Sequence, residues 1–252
     1  MSLRVQNLTF RYRTFELRVG DLAFRDGRLS VIVGPNGAGK TTLLKCLAGL
    51  LPIPPGTVTL DGRDLPSIGE PERARRLAFV PQEHGSAFNY NVLDFVLMGL
   101  TAHLPFWSPP SAADVRVAEE ALAFVGFGAY ASRPHFELSS GERRMVLIAR
   151  ALAQQTGLLV FDEPTTFLDP RHETEVMDLA RKLTLERNKT VLMTLHNLDL
   201  AVRYADEIII LKGGSVVAEG RPDEVLTEEL LARVYDLPMT LLRHGGRTFV
   251  LR

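Results

Sequence analysis

Between residues 29 and 42 the chain reads Leu29-Ser30-Val31-Ile32-Val33-Gly34-Pro35-Asn36-Gly37-Ala38-Gly39-Lys40-Thr41-Thr42. Leu29–Val33 is a nearly continuous apolar, β-branched run, the pattern of a strand buried on both faces of an α/β sheet. Thr41–Leu51 carries helix formers without proline, and Gly49 and Pro52 mark its end. The turn between strand and helix fits G-x-x-x-x-G-K-[ST] in full, with Gly34, Gly39, Lys40 and Thr41 at the defining positions. Glycines let successive backbone N–H groups curl inward around a polyphosphate, and the helix points its positive end at the same spot. Lys40 is placed to reach β- and γ-phosphates, and the Thr41 hydroxyl to ligate Mg²⁺. Gly34, Pro35, Asn36, Gly37, Ala38, Gly39, Lys40, Thr41 and Thr42 are therefore the predicted phosphate contacts.

Further along, Leu158-Leu159-Val160-Phe161 is an apolar strand that ends in Asp162-Glu163. Phosphoryl transfer needs one carboxylate for the Mg²⁺ shell and a second group to orient the attacking water. Asp162 suits the first role and Glu163 the second. Leu138-Ser139-Ser140-Gly141-Glu142 precedes an amphipathic stretch, and Ser139 with Glu142 reads on its own as a capping box. Asp169-Pro170 opens another helix, Asp as N-cap and Pro at the first helical position. Ser111 and Asp114 cap a third, with Val115, Ala118, Ala121, Leu122 and Val125 as its apolar stripe.

Taken in this order, phosphate loop, Leu138–Glu142 and Asp-Glu strand, the chain resembles the ATPases of ATP-binding-cassette (ABC) systems. Leu138–Glu142 is similar to the signature motif of that family, and Arg143–Ala153 to the helix that follows it. The resemblance implies an α/β P-loop NTPase fold with an N-terminal antiparallel β-subdomain and an inserted helical subdomain, and ATP with Mg²⁺ as ligands. It carries over residue by residue. Tyr12, 22 residues before Gly34, matches the aromatic that stacks on adenine. Gln82, in Phe79-Val80-Pro81-Gln82, matches the Q-loop glutamine that reaches Mg²⁺ or the attacking water. Asp169, in Phe167-Leu168-Asp169, matches the D-loop aspartate, a role compatible with N-capping. His196 matches the switch histidine that contacts the γ-phosphate. Ser139 and Gly141 are the expected contacts to ATP held by a partner subunit. Two positions depart from the family pattern: Ser-Ser-Gly-Glu stands where Ser-Gly-Gly-Gln is usual, and Asn197 follows His196 where Asp is common.

Softer similarities narrow the subfamily. Asn91–Gly99 and Gly220–Thr227, followed by Leu230–Tyr235, resemble the importer ATPases for metal chelates (iron–siderophore, haem, cobalamin). That resemblance implies a homodimer, a transmembrane permease as partner, and, indirectly, a substrate-binding protein outside the membrane. It also implies a location on the cytoplasmic face of the membrane. The alternative is an ABC ATPase without a permease, such as one serving iron–sulfur assembly. The expected organisation is a single cassette over 1–252: a nucleotide-binding body in 1–87 and 154–240, a helical subdomain in 88–153, and a hairpin in 241–252.

Composition agrees. Lys plus Arg number 29 and Asp plus Glu 30, so the basic excess of a phosphate-neutralising nucleic-acid binder is missing. The single cysteine, Cys46, cannot close an internal disulfide, as expected for a reducing compartment. The longest apolar runs, such as Val92–Leu100, fall well short of the ~18 residues of a spanning helix and include Asp94. The N-terminal stretch lacks a secretory pattern. The remaining histidines (84, 103, 135, 172 and 244) show no metal-ligand spacing.

Overall fold

The computed structural model describes residues 2–12, 14–82, 90–104, 109–244 and 247–251. Trp107, the expected subdomain boundary at residue 88 and Gly245-Gly246 within the expected hairpin lie outside these residues.

The chain opens with short strands: β1 (Leu3–Val5), β2 (Leu8–Tyr12), β3 (Phe15–Val19), β4 (Leu22–Phe24) and β5 (Leu29–Val33). Helix α1 (Lys40–Leu47) follows the phosphate loop, then β6 (Val58–Leu60), β7 (Arg63–Asp64), α2 (Glu70–Ala74) and β8 (Leu77–Val80). A helical segment comes next: α3 (Val92–Leu97), α4 (Ala112–Phe124) and α5 (Ser140–Ala153). The α/β alternation then resumes with β9 (Leu158–Phe161), α6 (Pro170–Arg187), β10 (Thr190–Thr194), α7 (Leu198–Tyr204), β11 (Glu207–Lys212) and β12 (Ser215–Gly220). Two short helices, α8 (Pro222–Val225) and α9 (Glu228–Tyr235), lead to the hairpin β13 (Thr240–His244) and β14 (Arg247–Leu251).

The main sheet has the order β2-β3-β12-β11-β5-β10-β9-β8. From β11 to β8 the strands run parallel, while β12 is antiparallel to β11 and β2 to β3. A second, antiparallel sheet is ordered β4-β1-β6-β7. The antiparallel N-terminal strands are thus shared between two sheets.

Every residue of β5, β9 and β10 is buried. Alternate residues feed two cores. Val31, Val33, Leu159 and Phe161 join α4–α7 on one face. Ile32, Leu158 and Val160 join α1 and the antiparallel sheet on the other. The continuous apolar runs in the sequence are the consequence of this two-sided burial. Helix α1 stops earlier than its composition suggests: Ala48 caps it, and Gly49 takes a left-handed φ of 67°. The apolar run from Val92 is α-helical only to Leu97 and tightens into a 3₁₀ turn over Met98–Ala102.

The entry to β5 is pinned electrostatically. Asp206 accepts from the Leu29 N–H (2.9 Å), from Arg181 (2.8 Å) and, more loosely, from Arg28 (3.4 Å). Replacing it strands the buried Leu29 N–H at the root of the strand that carries the phosphate loop and removes the ion-pair partner of two partly exposed arginines. Asp206→Ala should lower the free energy of unfolding by about 2–3 kcal/mol, read from the urea midpoint at unchanged slope.

Candidate active site

The phosphate loop leaves β5 with Gly34, whose backbone runs so close to β11 that an added Cβ would sit 2.2 Å from the Leu211 carbonyl oxygen. It closes at Gly39, at φ 100°, where a Cβ would meet the Phe15 ring at 2.5 Å. No side chain is accommodated at either position, so the loop can turn its N–H groups inward only with glycine there. The Lys40 ammonium lies across the loop, donating to the Gly34 carbonyl at 2.9 Å and the Pro35 carbonyl at 3.2 Å. Burial pushes the Lys40 pKa below its ordinary value, while the Glu163 and Asp162 carboxylates oppose that shift.

Asp162 and Glu163, both buried, sit at the end of β9. The Thr41 hydroxyl donates to Asp162 Oδ1 at 2.9 Å, and the Thr194 hydroxyl donates to the same oxygen at 3.0 Å. Thr194 also accepts from the Glu163 N–H at 2.8 Å. Glu163 occupies a left-handed backbone conformation (φ 47°), strain tolerated where the surroundings over-determine it. Its carboxylate is held on both oxygens. His196 Nε2 contacts Oε1; Gln82 Nε2 donates to Oε2 at 2.7 Å and the Thr166 hydroxyl at 3.2 Å.

These groups share one cleft of about 720 Å³, lined by Tyr12, Asn36, Gly37, Gly39, Lys40, Thr41, Thr42, Gln82, Glu163 and His196, with Phe10, Phe15, Lys45 and Leu51. Asp162 reaches it through Thr41, and Gly34 and Pro35 through Lys40. Ala38 is buried within the loop, its N–H donating to Pro35 O at 3.2 Å. Tyr12 is 60 % exposed at the mouth, beside Phe10 and Phe15.

Three predicted positions lie elsewhere. Ser139 caps α5, with both bonds of the capping box present, and Gly141 is in the first turn of that helix. Asp169 caps α6: Oδ1 accepts from the His172 N–H at 2.9 Å, and Oδ2 pairs with His172 Nδ1 at 2.8 Å. Those two bonds hold its carboxyl below the usual range. None of the three lines the cleft.

The structure adds residues that local motifs do not reveal. Thr194 links the Asp162 carboxylate to the Glu163 backbone N–H because the parallel register that sets Met193 opposite Phe161 brings it beside Asp162. Arg144, on α5, donates to the Pro81 carbonyl at 2.8 Å and to the Gln82 carbonyl, tying the Gln82 loop to the helical segment. Pairing β9 with β10 on paper would have found Thr194; nothing local marks Arg144.

A family model described as "ABC transporter" matches residues 17–166. The chain belongs to the ABC transporter family. It is 44 % identical over 230 residues to a hemin import ATP-binding protein of Rhodococcus jostii, spanning 90 % of this chain and 77 % of that one. Among solved structures, an inward-facing metal-chelate type ABC transporter superposes with a TM-score of 0.87 at 31 % identity, over 99 % of this chain and 96 % of that one. A dimeric bacterial ABC transporter cassette superposes at 0.76 and 27 % identity, over 87 % of this chain and 98 % of that one. As an ABC cassette the chain is a nucleotide-binding ATPase of a transport system. No described helix is long and apolar enough to cross a membrane.

The segment after His196 bears on one sequence departure. Asn197 caps α7, its side-chain oxygen accepting from Asp199 N–H at 3.0 Å and Leu200 N–H at 3.3 Å. Its side chain also hydrogen-bonds Glu173 on α6; burial raises the Glu173 pKa, and this bond partly offsets the rise. Asp at 197 caps a helix equally well but would face Glu173 with a second carboxylate. Asn197→Asp should therefore destabilise the cassette by about 1 kcal/mol. Like charges raise folded-state pKa values, so the variant's deficit is present at high pH and shrinks as pH falls and the pair takes up a proton. Thermal melts of both proteins at pH 5 and pH 8 should show the larger gap at pH 8.

Proposed function

We propose that this chain is the ATP-hydrolysing subunit of an importer for a metal chelate (a siderophore, haem, cobalamin or similar compound) and that it works as a homodimer on a transmembrane permease. The observation that carries this reading is the division of its phosphate-handling residues. Lys40, Thr41, Gln82, Asp162, Glu163 and His196 converge on one cleft, whereas Ser139 and Gly141 stand at the N-terminus of α5, away from it. A helix N-terminus offers N–H donors and partial positive charge to an anion, so this second group is suited to ATP held in the cleft of another copy. The hemin-import relative and the metal-chelate transporter neighbour support the cargo class.

In this reading ATP stacks its base on Tyr12 and lays its phosphates along Gly34–Thr42. The Mg²⁺ site would be Thr41 and Asp162, with Gln82 adjoining: hard oxygen donors already within 2.9 Å of one another at the first pair. Mg²⁺ supplies neutralisation of phosphate charge during transfer. Lys40 draws charge from the β- and γ-phosphates. Glu163 orients the attacking water and accepts its proton, and His196 and Gln82, which hold its two oxygens here, position that carboxylate and face the γ-phosphate. Ser139 and Gly141 bind the γ-phosphate across the dimer, and Asp169 lies at the shared face. The helical segment within 88–153 moves relative to the body as the dimer closes, and the groove beside Gln82 receives a cytosolic helix of the permease. A substrate-binding protein delivers the chelate from the far side of the membrane, placing this chain on the cytoplasmic face.

Two measurements test this. Glu163→Gln should retain ATP binding, accumulate a dimer with ATP on size exclusion, and lose at least about a hundredfold in turnover; brisk hydrolysis by that variant would remove Glu163 from the proton step. Tyr12→Ala should weaken nucleotide affinity about tenfold, the worth of one stacked base, by fluorescence titration; an unchanged affinity would put the adenine elsewhere. The cargo class stands or falls on whether a membrane permease that co-purifies with this chain, reconstituted with its binding protein, hydrolyses ATP faster when a metal chelate is supplied.

A further inference from the structure

The turn between the carboxylate pair and α6 carries a residue that its backbone does not suit. The Leu168 N–H donates to the Thr165 carbonyl at 3.2 Å, closing a four-residue turn over 165–168 with Phe167 in its third position. Phe167 there takes a φ of 64°. A turn with positive φ at its third position asks for glycine or asparagine, and a bulky residue in that conformation is an outlier. The neighbours are drawn inward: Thr165 is buried, and Leu168 packs against the core on the α4–α7 face of the sheet. The Phe167 ring goes the other way. It is 81 % exposed, more than any other large apolar side chain among the described residues. A single exposed apolar residue on a surface needs no explanation. One that also holds a disfavoured backbone does, because a lone subunit is then destabilised by the strain and gains nothing from burying the ring.

The place of the turn says what covers the ring. Its Thr166 hydroxyl donates to Glu163 Oε2 at 3.2 Å, and Asp169, two residues beyond Phe167, caps α6. Phe167 therefore stands on the surface between the cleft and the α6 cap, which the two-copy reading turns toward the other subunit. We propose that Phe167 is an interface anchor, its ring packing against a second copy of this chain when two copies close over ATP. This rests on the two-copy reading above and adds an apolar contact to the phosphate contacts of Ser139 and Gly141. Two-fold symmetry supplies the ring twice, and a few well-buried aromatic side chains commonly carry much of an interface's binding energy. Burial of the ring in the pair offsets the strain held in each subunit. Removing the ring should therefore act with opposite sign on subunit stability and on association.

The test uses the full chain carrying Glu163→Gln, with ATP and Mg²⁺ as the probe and dimerisation measured by sedimentation. Into it are placed Phe167→Asn and Phe167→Gly, both of which accept a positive φ and remove the ring. Each should bind ATP as a monomer like the parent and melt at the same temperature or about 1–3 °C higher, yet dimerise at least about tenfold more weakly. Phe167→Tyr, which keeps the ring, should dimerise like the parent. Loss of the dimer by Phe167→Tyr equal to that by Phe167→Asn would overturn the ring as the operative feature. A weaker dimer accompanied by a parallel fall in monomer affinity or melting temperature would overturn the anchor by making the ring a folding contact. Ser139→Arg separates the two readings. If it fails to dimerise while Phe167→Asn and Phe167→Gly dimerise like the parent, the anchor alone is wrong. If it dimerises normally, or the parent does not dimerise with ATP, the two-copy site is wrong and the anchor falls with it.

Discussion

Two adjacent carboxylates, Asp162 and Glu163, are buried at the end of a central strand, and much of the cleft can be understood as what makes that burial tolerable. A carboxylate removed from water costs several kcal/mol unless it is paired and hydrogen-bonded. Here Asp162 is met by two threonine hydroxyls, one from the phosphate-loop helix and one from the neighbouring strand. Glu163 is met by an imidazole, an amide and a third hydroxyl. The buried Lys40 adds the opposite charge, and no described buried side-chain N or O lacks a partner. The partners arrive from α1, from the ends of β8 and β10 and from the turn after β9, so the network also fixes how these elements and β5 end relative to one another. Satisfying the carboxylates and building the site are one structural event.

The sheet makes that convergence possible. Parallel strands all point their C-terminal ends the same way, and ligands bind at that edge in open α/β sheets. Phosphate loop, carboxylate pair, Gln82 and His196 all follow the ends of neighbouring parallel strands: β5, β9, β8 and β10. Two-sided packing between the cores holds those ends in register. The antiparallel strands β2 and β3 bring Tyr12, Phe10 and Phe15 to the rim, a separate apolar surface suited to a base rather than to phosphate.

This division also explains which parts were legible in the sequence. Contacts made within one contiguous stretch could be read directly: the phosphate loop, the Asp162-Glu163 pair, the Ser139–Glu142 and Ser111–Asp114 capping boxes, and the Asp169 cap all depend on local spacing. Strands buried on both faces announced themselves by apolar runs. What could not be read depends on register or on contacts across the fold. Thr194 looks like any strand threonine until β10 is laid against β9. Arg144 looks like a solvated helix residue until α5 is seen to cross the Gln82 loop. His172, without metal-ligand spacing, gives no sign in the sequence that its ring packs against Gly141 and pairs with Asp169. β12 is only partly buried along its length, which leaves neither an apolar run nor a clean alternation to mark it in the sequence.

The signature departure from the family shows how local chemistry can absorb a change in charge. Glu142 stands where glutamine is usual, and an acid near the γ-phosphate of a partner's ATP would be expected to weaken its grip. In this cassette the Glu142 carboxylate turns back on its own helix, accepting from the Ser139 N–H at 2.7 Å, with Arg133 3.9 Å away. Those backbone and hydroxyl contacts of Ser139 hold its pKa below the ordinary value, so it stays ionised. Its charge is then largely matched by the α5 N-terminus and by Arg133. The Ser139 N–H is spent in the process, while Gly141 keeps its place at the head of the helix against His172. In the proposed two-copy site the acid is compatible with phosphate recognition because capping fixes where its charge points.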